Sequence, residues 1–75
     1  MTLVMNTVNV IEVLNGSINS LQAFVDNQEG NALAEKTFHD ILVEHGVDED
    51  DIDSYIEDGN YSDDNGFEVN IVHSY

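Results

Sequence analysis

Thr7-Val8-Asn9-Val10-Ile11-Glu12-Val13-Leu14-Asn15-Gly16-Ser17-Ile18-Asn19-Ser20-Leu21-Gln22-Ala23-Phe24 is the stretch whose reading decides the fold. Up to Leu14 it is β-branched and partly alternating, as a half-buried strand requires. Asn15-Gly16 follows at once, and both residue types tolerate the positive φ of a type I′ turn. Ser17 to Phe24 then returns as a second strand. A two-residue turn sets Val13 opposite Ile18 and Val10 opposite Leu21. Ile11, Val13 and Ile18 then lie on the face opposite Val8, Val10 and Leu21.

The rest of the chain is built out from this hairpin. Asp26 with Glu29 three residues on resembles a capping box and starts a helix over Asn27 to His45. Ala34, Phe38, Ile41, Leu42 and His45 fall on one stripe at helical spacing. Gly30 in the first turn weakens the start, and Gly46 is placed to end the helix in the left-handed region. Asp48 caps a second, shorter helix whose apolar side is Ile52, Tyr55 and Ile56 and whose end is Gly59. Glu49, Asp50 and Asp51 in its first turn complement the helix dipole. Phe67-Glu68-Val69-Asn70-Ile71-Val72-His73 alternates as a strand, with Phe67, Val69, Ile71 and His73 pointing one way. Tyr61-Ser62 can pair with it across the turn at Asn65-Gly66.

The order β-β-α-α-β, with a possible fourth short strand, defines one α+β domain over residues 1–75. Its architecture is a small antiparallel sheet with one main helix packed on one face. One helix covers one face only, so apolar side chains on the other face stay open to a homodimer contact or a bound partner.

The chain has 75 residues and no cysteine, which excludes disulfides, thiolate metal sites and thiol chemistry. Disulfide-free composition, the absence of a basic leader followed by an apolar run, and the absence of a long apolar stretch point to the cytoplasm and away from a membrane. If the chain is phage-encoded, that is the host cell's cytoplasm. Sixteen Asp and Glu residues stand against one Lys and no Arg, a formal net charge of −15. That charge excludes direct binding to nucleic acid. With 41% apolar residues, the chain is not a disordered acidic tail.

The acid is concentrated. Thirteen of the sixteen carboxylates lie within residues 35–68. Glu44, Asp48, Glu49, Asp50, Asp51, Asp53, Glu57, Asp58, Asp63 and Asp64 fall within 21 residues and form the candidate partner-binding surface. Like charges at this spacing destabilise a helix by a few tenths of a kcal/mol per pair, and high net charge destabilises the compact state. The bland alternative is a solvated helix face, or a halophilic origin. Carboxylates crowded in this way are expected to titrate above their unfolded values, so that stability rises as pH falls from 7 towards about 5.

Catalysis lacks parts. No Ser sits in a Gly-x-Ser-x-Gly elbow, and a catalytic carboxylate pair needs one dry environment that so short a chain does not build. The chain is read as a non-enzyme without cofactor. Glu35 and His39, four apart, are read as a surface pair and not as metal ligands. His45 suits a helix C-terminus, and His73 is placed on the core face of the last strand. A calcium loop is not met, because starting it at Asp51 puts Tyr55 at the fifth position. Phosphate binding has neither a Gly-rich loop nor a lysine cradle.

In size, charge and lack of catalytic chemistry, the chain is similar to phage-type nucleic-acid mimics, including anti-CRISPR and anti-restriction proteins. The likeness rests on no motif. It implies an inhibitor that occupies the basic groove of a nucleic-acid-binding protein or complex. A domain of this size should be about 30 Å across, a length over which duplex DNA carries about 18 charges. The alternatives are a small adaptor that binds through the apolar sheet face, and an antitoxin or immunity protein for a basic nuclease.

Overall fold

A computed structural model describes residues 6–74. It contains four strands and two helices: β1 (Thr7–Leu14), β2 (Ser17–Val25), α1 (Gln28–His45), α2 (Glu49–Asp58), β3 (Asn60–Ser62) and β4 (Phe67–Ser74). The strands form one antiparallel sheet in the order β2-β1-β4-β3. The α+β fold and the short fourth strand are as the sequence implies.

The hairpin turn forms at Asn15 and Gly16, with φ of 51° and 83°. Val13 pairs with Ile18, as the turn dictates, but the register then shifts between Glu12 and Val13. Asn19 is left over as a bulge, and its side-chain amide donates to the Glu12 carboxylate. Beyond it Ile11, not Val10, faces Leu21, while Val10 faces Gln22. Leu21 therefore joins Ile11, Val13 and Ile18 on the outer face. This corrects the expected pairing. One inserted residue exchanges the two faces of a strand.

The inner face of the sheet carries Val8 and Val10 of β1 and Phe67 and Val69 of β4. They cluster with Ala34, Phe38 and Leu42 of α1 and Ile52 of α2, and these eight side chains make the core. Phe24, Ile41, Val47, Tyr55, Ile56, Tyr61 and Ile71 pack around it. Among the described residues no helix is long and apolar enough to cross a membrane.

The start of α1 differs from the expected one. The N-cap is Asn27, not Asp26: its side-chain oxygen accepts from the Gly30 N–H at 2.7 Å. Asp26 instead accepts from the Asn31 side chain at 2.7 Å. Gly30 does not delay the helix, which runs from Gln28, and it is buried. A Cβ at Gly30 would lie 1.7 Å from the Val25 carbonyl oxygen. The glycine lets the helix start directly against the end of β2. The two helices end as expected at Gly46 and Gly59, with φ of 95° and 76°.

Gly30→Ala tests this close approach. Alanine in an ordinary helical position stabilises by about 1 kcal/mol over glycine. Here the clash should dominate and cost about 1–3 kcal/mol, read as a lower urea midpoint at unchanged m-value. A gain in stability would show that the helix and β2 are not in contact at Gly30.

Candidate functional site

Helix α2 begins at a cap that the sequence makes legible. The Asp48 carboxylate accepts from the Asp50 N–H at 3.0 Å. Its apolar side is anchored by Ile52, fully buried, with Tyr55 and Ile56 half-buried beside it. Six acidic residues and Ser54 occupy the rest of the helix. At 3.6 residues per turn, Asp50, Asp53 and Glu57 line up as one ridge pointing away from Ile52. Asp51 and Asp58, seven apart, flank one side, and Glu49 lies on the other. All six, and Asp48, are exposed. Their crowding is tolerable because every one of them keeps its water.

The other predicted residues divide differently. Glu44 is exposed but lies on the flank of α1 away from α2. There it lines a shallow hollow of about 340 Å³ with Glu12, Asn19, Ile41 and His45. On the opposite flank, His39 Nε2 lies 3.8 Å from Glu49. The α1 rod thus separates Glu44 from the α2 ridge. Asp64 is exposed in the β3–β4 turn.

Asp63 has a structural task. Its side chain is only 16% exposed. It accepts from the backbone N–H groups of Asn65 and Phe67, at 2.8 and 3.1 Å, which shapes the turn. It also lies 2.8 Å from His45 Nε2. The His45 ring stacks on Phe67, with centroids 3.7 Å apart and planes at 13°. His45 is therefore more than a favourable helix-end residue: it ties the end of α1 to the β3–β4 turn. The hydrogen bond from His45 is the main reason the Asp63 carboxyl lies below its ordinary value of 3.8; partial burial opposes it and the two backbone N–H groups reinforce it. The Tyr61 hydroxyl is pushed up, chiefly by burial and then by the Asp63 charge.

His73 departs from its expected place in the core. The register puts it on the inner face opposite Val8, but it lies at the sheet's end and is exposed. Its Nδ1 is 3.4 Å from the Asp26 carboxylate. Asp26 is held below 3.8, first by the Asn31 hydrogen bond and then, against a burial effect, by His73. At Asp26 and Asp63 the direction is thus the reverse of the upward shift expected from crowding, because specific donors outweigh distant like charges.

One acidic neighbourhood escapes sequence reading. Glu35 of α1 meets Glu57 and Asp58 of α2 around a hollow of about 280 Å³, with Asn31, Ile71 and His73 also on its wall. Glu35 does not join His39, whose Nδ1 lies 3.4 Å from Asp40. The only Lys or Arg of the chain, Lys36, is 3.7 Å from Asp40. The α2 ridge therefore has no lysine or arginine counter-charge.

The overall dimensions revise the size comparison. The molecule measures 46 × 26 × 17 Å, so it is longer than the compact body assumed from length. Over 46 Å a duplex would carry about 27 charges, well above the sixteen carboxylates of the chain. The match is local instead. Seven carboxylates lie between Asp48 and Asp58, over about 16 Å of helix, where a duplex carries about nine charges.

The chain matches no family model, no curated protein and no solved structure.

The Asp63 network gives a signed pH prediction. A carboxyl lowered in the folded state contributes stability that is fully present above the unfolded value of about 3.8. That contribution is lost as pH falls through the lower folded value. Asp63→Asn should melt at lower temperature than the unsubstituted protein from pH 7 down to about 5. The gap should close as pH falls below 3.8. A gap that widens on acidification would mean that the carboxylate is not held by these donors.

Proposed function

We propose that the protein is an acidic inhibitor that occupies the basic, nucleic-acid-binding surface of another protein, as a nucleic-acid mimic. The observation that carries this reading is the acidic surface of α2, whose seven carboxylates from Asp48 to Asp58 are solvent-exposed, unneutralised by lysine or arginine, and spaced along the helix at nearly the charge density of a duplex. A groove lined with Lys and Arg gains fast, salt-sensitive association from such a surface. We further propose that the target is a bacterial defence complex or nuclease, and that the protein acts in the cytoplasm of the cell where that target works. An antitoxin or immunity protein for a basic nuclease would use the same contact.

The reading assigns the contact to Asp48, Glu49, Asp50, Asp51, Asp53, Glu57 and Asp58, with Glu35 added from the adjoining hollow. Glu44 and Asp64 supply long-range attraction. Asp63 is committed to the turn. No chemical step is assigned to any residue.

A second reading has an observation of its own. Ile18, Leu21, Val25 and Val72 on the outer sheet face are each more than 40% exposed. An adaptor would bind through these and carry its acid for solubility alone.

Charge reversal separates the two. Nucleic-acid-binding proteins retained from bacterial lysate on the immobilised protein at 50 mM salt are tested for release of bound DNA or RNA when free protein is added. The inhibitor reading predicts displacement, with affinity falling at least tenfold by 200 mM salt. Asp50→Lys, Asp51→Lys and Asp53→Lys together should abolish it. Displacement that survives the triple substitution, or that ignores salt, favours the adaptor.

A further inference from the structure

The sheet has an inner face packed on α1 and an outer face that no described element covers. The outer face is apolar along β2 and along the Ile11 and Val13 half of β1, while Thr7 and Asn9 make the other half of β1 polar. Ile18 faces Val13, and Leu21 faces Ile11. Ala23 and Val25 continue the patch along β2, and Val72 extends it onto β4. Ile18 is 64% exposed and Leu21 54%. Among the described residues the only carboxylate on this face is Glu68, which is paired in register with Val13 and receives a hydrogen bond from Asn70. In a chain of net charge −15, a face this neutral is exceptional.

We infer that a second copy of this chain covers the outer face, giving a face-to-face dimer in which two sheets pack with both α1–α2 layers outward. The inference does not depend on the inhibitor reading. Three arguments select this occupant.

The first is charge. A basic partner would be drawn to the acidic side of the molecule, where the outer face offers it almost nothing. A second copy brings an equally neutral, equally apolar surface. Isologous packing matches each patch to itself.

The second is the placement of the acid. In the four-layer arrangement the two α2 ridges lie roughly 30 Å apart, across three layers of about 10 Å each. The Debye length at physiological salt is about 8 Å. Two polyanions can therefore associate through this face with their mutual repulsion largely screened, which no contact on the helical side allows.

The third is area. β1, β2 and β4 are eight, nine and eight residues long. At about 3.3 Å per residue and about 4.8 Å per strand, they present a flat area of roughly 400 Å² per copy, or about 800 Å² for the pair. That flat projection lies just below the roughly 1,000 Å² of a specific interface, and side-chain relief adds to it. The edge of the sheet is a poorer surface. β2 is the long edge strand, but the bulge at Asn19 interrupts its ladder, and such bulges blunt edges against strand pairing. β3, the other edge, has three residues.

Sedimentation equilibrium of the full chain tests this, at 5–500 µM and at 0.15 and 0.5 M salt. The expected mass is twice 8.3 kDa at the upper concentrations, with the dimer favoured at the higher salt. Ile18→Lys with Leu21→Lys should return the mass to 8.3 kDa throughout, with an unchanged circular dichroism spectrum. These substitutions lower the net negative charge, so general repulsion would not explain the loss. Should the double variant fail to fold, Glu68→Gln gives the second reading. It removes a carboxylate from each side of the interface and should shift the monomer–dimer midpoint to lower concentration. A protein that stays at 8.3 kDa across the range overturns the inference. So does a folded Ile18→Lys, Leu21→Lys variant that still dimerises, since edge pairing would then be the contact. A midpoint unmoved or raised by Glu68→Gln also counts against it.

Discussion

Burial on one face of one sheet is the constraint from which the rest of this structure follows. Val8 and Val10 of the central strand β1, with Phe67 and Val69 of β4, meet Ala34, Phe38 and Leu42 of α1, and Ile52 brings α2 onto the same cluster. Eight buried side chains hold together a chain of net charge −15. A core so small tolerates little slack, which explains the close start of α1 at Gly30. It also explains why His45, stacked on Phe67 and bonded to Asp63, is used to tie down the far end of the same helix. Apart from Asp26, which accepts from Asn31, and the half-buried Glu12, every acid that the fold does not need as a cap or turn residue is exposed.

This division gives the molecule two unlike sides. The helical side carries the α2 ridge, Glu35 and Glu44. The outer sheet face carries Ile11, Val13, Ile18 and Leu21 and, among the described residues, a single carboxylate, Glu68. The sides are built from different periodicities. Helical spacing turns the many acids of residues 48–58 outward around one anchoring isoleucine, whereas strand alternation, reset by the bulge at Asn19, places Ile11 and Val13 of β1 with Ile18 and Leu21 of β2 on the face that α1 leaves open. Electrostatic attraction and apolar contact therefore act in opposite directions on this molecule, and one does not interfere with the other.

Much of the fold is legible in the sequence because its signals are local. The Asn15-Gly16 turn, the Asp48 cap, the ends at Gly46 and Gly59 and the alternation of β4 are each decided within a few residues. The bulge at Asn19 is not legible because β2 is exposed along most of its length. A strand with no buried face does not specify its own register. Asn27 and Asp26 are equally able to cap α1, and what distinguishes them is that Asn27 accepts from the Gly30 N–H while Asp26 accepts from the Asn31 side chain. The position of His73, opposite Val8 yet exposed and turned to Asp26, is likewise tertiary information. The acid of the candidate site was visible as composition. Its division into an α2 ridge, a separate Glu44 and a structural Asp63 needed the packing of α1 against both α2 and the β3–β4 turn. The contribution of Glu35 was hidden because it comes from another helix.

The central claim is that the α2 carboxylates form a contact surface and not a solubility coat. Carbodiimide labelling of carboxylates, read by mass spectrometry in the free protein and in the complex with its captured target, addresses this residue by residue. The account predicts that Asp50, Asp53 and Glu57 lose reactivity on binding while Glu68 does not. Equal reactivity of the three in free and bound protein would contradict it.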